Sequence, residues 1–264
     1  MDMDIGVIGI GRMGRAIIKG FISGGIDPKK IYVYDVSPMA IESIRGMGVN
    51  ICSSNIEVVR SSNLVILAVK PSQVRGVAED ISRYVDGKIV ISIAAFIQLK
   101  MLEKILSGAR IYRVMPNIGV EVNTGFIAIT PPSAMDSNID RLFRLLGEVV
   151  WVDEDVLDLL TLMSASTPAL IAEIADALIL ASLKAGIPYD IAKKATAHVL
   201  QGVGKLLLYR DTSSIRDSVI TPRGTTIELI ERIYTEEAKS RLLSALIKTI
   251  EKYLELLEKY KSGS

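Results

Sequence analysis

Apolar and polar positions along this chain follow two different periods, one in each half. As far as Val152, short runs rich in β-branched residues alternate with stretches whose apolar residues recur every three or four positions. That alternation predicts βαβ units and a mostly parallel, doubly wound sheet. Strands are expected over 3–8, 31–34, 64–69, 88–93 and 110–114, with 125–129 and 149–152 extending one edge. Helices between them are expected over 13–23, 38–47, 72–84 and 99–106. After Trp151 and Val152 no strand pattern returns, and Asp153-Glu154-Asp155 sets three carboxylates where a helix start favours them. Helices are then expected over 154–163, 168–185, 189–209, 224–234 and 237–260. The reading is an α/β domain over 1–152 followed by an all-α domain over 153–264, with a disordered tail at 261–264.

One helix departs from the amphipathic rule. Ala169, Leu170, Ile171, Ile174, Leu178, Ile179, Leu180 and Leu183 cover every face of the 168–185 segment, and a helix apolar all round must be buried all round. A small helical domain has little interior to hide it, so a second copy of the chain is expected to supply the cover. A membrane span is disfavoured because Glu173 and Asp176 sit in its middle, where an acidic residue costs about 2.5–3.5 kcal/mol on insertion scales. The acidic start Met1-Asp2-Met3-Asp4 runs into a short apolar stretch and lacks the basic region of a signal peptide. The mature chain is therefore expected to begin there and to act in the cytoplasm.

Composition narrows the chemistry. With 31 basic and 30 acidic residues and a formal charge of +1, the chain offers no electrostatic footprint for nucleic acid or an anionic membrane. Cys52 and His198 are the only cysteine and histidine, so no intrachain disulfide and no metal site built from several His or Cys ligands can be assembled. His198 lies inside a helical pattern and reads as structural or solvated, and Cys52 as packed.

The first chemical signal is Gly9-Ile10-Gly11-Arg12-Met13-Gly14, which follows an expected strand and opens an expected helix. In that context G-x-G-x-x-G means a dinucleotide site. Gly9 permits the tight turn, Gly11 lets a pyrophosphate reach the backbone, and Gly14 lets helix pack on strand, aiming the amides of Ile10 to Met13 at the anion. Asp35 ends the next strand about 20 residues on, where a ribose-binding acid belongs. A carboxylate there accepts the ribose hydroxyls of NADH and repels the extra phosphate of NADPH. Ser37 and Arg12 are near enough in sequence to receive that phosphate, but Val36 withholds a basic residue, so the balance leans to NADH. Lys70, at the end of the central strand, is either a phosphate or ribose contact or a solvated loop lysine.

A second signal is Thr221-Pro222-Arg223-Gly224-Thr225-Thr226. Thr221 suits an N-cap and Pro222 the first helical turn, while Thr225 with Glu228 offers a competing capping box. The segment is either a well-capped helix or a helix start whose amides and hydroxyls hold a small carboxylate. Helix-end stabilisation of an anion is about 0.3–2 kcal/mol, enough to orient a small acid.

Taken together with Ala68-Val69-Lys70-Pro71, Ser92-Ile93-Ala94-Ala95, Arg113-Val114-Met115-Pro116-Asn117 and the run from Val219 to Ile227, these segments resemble pyrroline-5-carboxylate reductases, in order and over nearly the full length. The resemblance implies a Rossmann domain followed by a helical domain that interlocks in a homodimer, sometimes assembled into decamers. It implies NAD(P)H-dependent reduction of the cyclic imine 1-pyrroline-5-carboxylate to L-proline, the last step of proline biosynthesis. The cofactor residues it suggests are Ile8, Gly9, Ile10, Gly11, Arg12, Met13, Ser37, Asn55, Ala68, Val69, Lys70, Pro71, Ala94, Ala95 and Ser218, beside the Asp35 already noted. For the substrate it suggests Glu154, Thr225 and Thr226, with Thr221 and Gly224 in the same loop and Asp211 as a looser match. Thr226 is expected to contact the imine nitrogen, since a hydroxyl can donate to a neutral imine or accept from an iminium. Glu154 is either a group that favours the cationic imine or a plain helix-start carboxylate.

The chain departs from that family's pattern at Phe96 and Arg223, where glycine is usual, at Ile118-Gly119, where Thr-Pro is common, and at Ala165 and Thr167, also usually glycine. Added bulk at Phe96, Ala165 and Thr167 is expected to reshape the pocket, so a related cyclic imine is one alternative substrate. A hydroxyacid dehydrogenase would place an acid/base lysine on the first long helix, and no lysine lies between Thr161 and Leu180. A nucleotide-binding sensor without turnover is the remaining alternative. Direct hydride transfer requires the nicotinamide carried by the first half to face the ring held around Gly224.

Overall fold

A computed structural model describes residues 3–262, without side chains beyond Tyr260, so the expected tail at 261–264 lies largely outside the described residues. Strands β1 (Ile5–Ile8), β2 (Ile31–Tyr34), β3 (Asn50–Ile51), β4 (Leu64–Leu67), β5 (Ile89–Ser92), β6 (Arg110–Pro116), β7 (Gly125–Thr130) and β8 (Gly147–Trp151) form one sheet. Its order is β3-β2-β1-β4-β5-β6-β7-β8, and every neighbouring pair is parallel except β6 with β7. The first six strands follow the 3-2-1-4-5-6 order of doubly wound dinucleotide-binding sheets, in which ligands lie outside the carboxyl ends of β1 and β4.

Helices α1 (Arg12–Ser23), α2 (Pro38–Glu42), α3 (Asn55–Arg60), α4 (Pro71–Ile81), α5 (Leu99–Ile105), α6 (Ser137–Arg144) and α7 (Glu154–Thr161) surround the sheet. Strand residues alternate between its two faces. Ile5, Val7, Leu64 and Ile66 pack with Ile17, Ile18 and Phe21 of α1, whereas Ile8, Val65 and Leu67 pack with Val74, Ala78 and Ile81 of α4. Both faces are covered, as a parallel sheet requires.

Beyond α7 a π-helical turn, Leu162–Ser166, leads into α8 (Thr167–Lys184), α9 (Tyr189–Leu207), α10 (Thr212–Asp217), α11 (Thr225–Thr235) and α12 (Ala238–Ser262). The chain forms two compact units, one of residues 1–168 with 257–264 and the other of residues 169–256. Helix α7 belongs to the first of these units, where Leu157 packs on Met115 and Ala128 of the sheet. In the second unit no residue of α8 is buried, and Ile171, Leu178 and Leu180 are each more than 40% exposed. The helical stretch Glu154–Lys184 is long and apolar enough, by length and composition alone, to cross a membrane.

Candidate functional site

The nucleotide half is built where β1 runs into α1. Gly9 adopts φ 98°, and a Cβ there would strike the backbone of Ala68. A Cβ at Gly14 would collide with the Gly9 carbonyl oxygen. Glycine at these two positions is therefore what lets the turn fold under the start of α1, whose N-cap, Gly11, brings no side chain to the first amides. The result is a cavity of about 290 Å³ lined by Ile8, Gly9, Gly11, Tyr34, Asp35, Val36, Ser37, Asn55, Ala68, Val69, Lys70, Gln73 and Val77.

Nine of the expected cofactor residues are on that wall: Ile8, Gly9, Gly11, Asp35, Ser37, Asn55, Ala68, Val69 and Lys70. Ile10, Arg12 and Met13 continue the turn without lining the cavity. Pro71 opens α4 and borders a separate hollow with Phe96 and Tyr260. Ala94 and Ala95 follow β5, and Ser218 lies in the second unit at the end of α10, donating from its hydroxyl to the Ile215 carbonyl at 2.7 Å. Tyr34, Val36, Gln73 and Val77 were not expected. Helical spacing from Lys70 would have found Gln73 and Val77, three and seven positions on along α4.

Asp35, expected to face a ribose, is held by two backbone amides. Its Oδ2 accepts from the Ile10 amide at 2.6 Å and its Oδ1 from the Ser37 amide at 2.8 Å. The Ile10 amide, expected to point at the pyrophosphate, is thus taken by Asp35. Ionised carboxylates offer about four acceptor positions, so lone pairs remain for ribose hydroxyls. Val36 is exposed beside it, and among the described residues Lys70 is the one cation on the cavity wall.

Beside the last residue of β5, the middle of β6 carries a buried charge cluster. Arg113 of β6 donates from Nη1 to Glu154 Oε1 at 2.7 Å and from Nη2 to Asp158 Oδ1 at 2.8 Å. Glu154 Oε1 also accepts from the Leu99 amide at 2.8 Å. Arg113 and Asp158 are each 1% exposed, while the Glu154 side chain is 28% exposed. Glu154 is therefore tied to the start of α5 and to β6, with no described bond to its Oε2. Arg113 and Asp158 were not expected as site residues; Arg113 opens one of the quoted motif segments, which is the one signal that could have pointed to it, and Asp158 lies one helical turn beyond Glu154 on α7.

Between β5 and α5, Phe96 has φ 66°. A bulky side chain in that region is strained by roughly 1–3 kcal/mol. Its ring lies stacked on Tyr260, with centroids 4.9 Å apart and planes 11° off parallel. Phe96 is not on the wall of the nucleotide cavity and instead borders the hollow with Pro71 and Tyr260.

The loop expected to hold the substrate carboxylate lies in the second unit. Thr221, Gly224, Thr225 and Thr226 are together at the start of α11, but the cap differs from expectation. Gly224, not Thr221, is the N-cap, and no side chain caps it. Arg223 at φ 59° turns the chain so that the Gly224 amide donates to the Thr221 carbonyl at 3.0 Å, and a Cβ on Gly224 would strike Thr221 Oγ1. The competing Thr225–Glu228 box does not form either, since Thr225 is already the first helical residue. This helix start therefore keeps its first amides clear of side-chain caps. Asp211 is the N-cap of α10. Ala165 lies inside the π-helical turn and Thr167 immediately after it, a backbone irregularity of a kind frequent at functional sites. Among the described residues, no group of three His, Cys, Asp or Glu suits a metal.

Two family models match: "NADP oxidoreductase coenzyme F420-dependent" over 4–96 and "Pyrroline-5-carboxylate reductase dimerisation" over 154–256. Pyrroline-5-carboxylate reductase of Escherichia coli is 31% identical over 262 residues, covering 96% of this chain and 97% of that protein. The chain belongs to the pyrroline-5-carboxylate reductase family. Among solved structures, the pyrroline-5-carboxylate reductase of Coxiella burnetii superposes with a TM-score of 0.82 at 28% identity, over 97% of this chain and 99% of that one. The NADP-bound pyrroline carboxylate reductase of Plasmodium falciparum shares the fold, with a TM-score of 0.84 at 24% identity over 96% of this chain and 97% of that one. Phe96 and Arg223, the two positions where the resemblance led glycine to be expected, both adopt left-handed backbone. The departures thus keep the backbone that glycine favours while adding a side chain.

Proposed function

We propose that the chain reduces 1-pyrroline-5-carboxylate to L-proline at the expense of a reduced nicotinamide dinucleotide, the last step of proline biosynthesis. The observation that carries this reading is the pairing, on one chain of the family, of a glycine-turn pocket bearing Asp35 with an uncapped helix start at Gly224–Thr226. The pocket residues fit a dinucleotide: open backbone at Gly11 for a pyrophosphate and free acceptor positions on Asp35 for ribose hydroxyls. Bound there, the nucleotide supplies a hydride.

The protein's own groups supply position and charge. The amides at the start of α11 and the Thr225 hydroxyl hold the substrate carboxylate, using the positive end of the helix. Thr226 hydrogen-bonds the ring nitrogen. As the hydride joins the imine carbon, the C=N π pair moves onto nitrogen, which as an iminium already carries its proton. A threonine hydroxyl holds its proton too tightly to serve as a strong acid, so that proton comes from solvent or arrives with the substrate. Glu154, fixed by Arg113, adds negative charge that favours the cationic imine. Alignment of the two reactants supplies most of the rate.

Asp35 and the apolar Val36 favour NADH over NADPH. Cover for the exposed apolar residues of α8 comes from a second copy of the chain, giving a homodimer, and this supports reading the apolar stretch as an interface in a soluble, cytoplasmic enzyme. Steady-state oxidation of NADH and NADPH, with and without pyrroline-5-carboxylate, tests the whole reading. Imine-dependent oxidation with a higher kcat/KM for NADH and formation of proline is expected. Turnover of a keto acid but not the imine would make the chain a hydroxyacid dehydrogenase, and tight nucleotide binding with no turnover would make it a sensor.

A further inference from the structure

The segment after β5 carries Ala94 and Ala95, two expected cofactor residues that lie outside the described cavity wall, and it must keep one shape if they are to meet the nucleotide beyond that wall. Its start is held by the Ala94 amide, which donates to Ser92 Oγ at 3.3 Å, and its end by the Leu99 amide on Glu154. Midway, Phe96 sits in the left-handed region, a conformation a phenylalanine leaves readily unless something holds it. The carboxyl-terminal helix supports it. Residues 257–264 belong to the first compact unit, Leu257 of α12 is 7% exposed, and one turn further on Tyr260 lies flat on the Phe96 ring.

We propose that Tyr260 is a positioning residue for hydride transfer: by stacking on Phe96 it keeps the 94–99 segment in the conformation that glycine would adopt unaided. This rests on the reductase reading above. The face of Tyr260 is what the stack uses, so its hydroxyl is dispensable. The cavity wall at Ile8, Gly9, Gly11, Asp35, Val36, Ser37 and Asn55 includes no residue of the 94–99 segment, so nucleotide affinity does not depend on the latch. Most distinctively, the latch is needed only because residue 96 is not glycine.

The test measures kcat, imine KM and nucleotide Kd for the full-length protein and for Tyr260→Ala, Tyr260→Phe, Phe96→Gly and the Phe96→Gly/Tyr260→Ala pair, below the melting temperature of each. Tyr260→Ala is expected to lower kcat about three- to tenfold, the population shift an aromatic stack is worth, with nucleotide Kd changed less than twofold. Tyr260→Phe restores turnover. In the Phe96→Gly background the same Tyr260→Ala change costs less than twofold. Wild-type turnover by Tyr260→Ala, a loss confined to nucleotide Kd, or an undiminished loss in the Phe96→Gly background each overturns the proposal. Failure of the reductase reading itself is distinguishable, because the unaltered protein would then show no imine turnover.

Discussion

Arg113→Met removes the cation from a buried cluster and leaves two carboxylates facing its place. Arg113 and Asp158 are 1% exposed and bonded at 2.8 Å, and Glu154 lies 2.7 Å from the other guanidinium nitrogen. Methionine fills much of the same volume, so the cost is electrostatic rather than a cavity. Removing one partner of a buried ion pair costs about 3–5 kcal/mol, because the other charge stays desolvated. For a unit of this size each kcal/mol moves Tm by roughly 2–4 °C, so Tm should fall by about 6–20 °C. Adding Asp158→Asn removes the stranded charge and should return about half of the loss. Urea midpoints and thermal melts of the four members of this double-mutant cycle, at one protein concentration, measure it. A deficit under about 1 kcal/mol for Arg113→Met, or an Asp158→Asn change that adds to it, would refute the reasoning.

Asp35→Ala should raise the ratio of NADPH to NADH kcat/KM at least about tenfold by removing the repelling charge, while loosening the Ile10 and Ser37 amides it now anchors weakens both nucleotides; an unchanged ratio would place the acid away from the ribose. Thr226→Ala should lower kcat for the imine about tenfold, the worth of one buried hydrogen bond, with nucleotide Kd within about twofold; equal turnover removes Thr226 from the mechanism. Asp136 caps α6 through the Asn138 and Ile139 amides at 2.8 and 3.3 Å. Burial raises its pKa, but those amides and the Arg110 guanidinium outweigh it and hold the carboxyl below its ordinary 3.8. Its stabilisation is therefore present above that pH and lost as pH falls through the lower folded value, so the roughly 1–2 kcal/mol deficit of Asp136→Ala should vanish in strong acid; a pH-independent deficit contradicts the cap. The Cys52 thiol is pushed up to about 11, by burial first and then by the nearby Glu57, against the Val33 backbone bond. At pH 8 it should resist iodoacetamide until urea unfolds the chain, and rapid labelling of the native protein would contradict its packing.

Much of the sheet was legible because its alternation is strong. β2 matches its expected span, and β6 only runs two residues longer, through Met115 and Pro116. β3 was not, since two residues carry no period, and the short helices α3, α6 and α10 announce themselves mainly by their N-terminal neighbours Ser54, Asp136 and Asp211. The expected 38–47 helix stops at Glu42 and gives way to a 3-10 turn ending at Gly48, whose φ of 78° no helix continues. The glycine turn and Asp35 were readable from spacing. The amide bonds that occupy Asp35 were not, because they depend on where a turn brings two backbone groups.

Capping was misread at Thr221 for a related reason. Residue type suggests a cap, but the left-handed Arg223 moves the cap to Gly224. Phe96 carries the same lesson, since nothing local in the sequence reveals that a residue 164 positions later on α12 supports its backbone. The Arg113 cluster escaped because its members come from a strand and a helix far apart in sequence, and buried ion pairs have no period to detect.

The central claim is direct hydride delivery to a small cyclic imine held by its carboxylate. Incubating the protein with nicotinamide dinucleotide deuterated at the transferring face of C4 and with unlabelled pyrroline-5-carboxylate measures it, with the proline read by mass and NMR. The account predicts L-proline with one deuteron on the ring carbon that was the imine carbon, in step with nucleotide oxidation. Nucleotide oxidised without proline, or proline formed with its new hydrogen drawn from water, would contradict it.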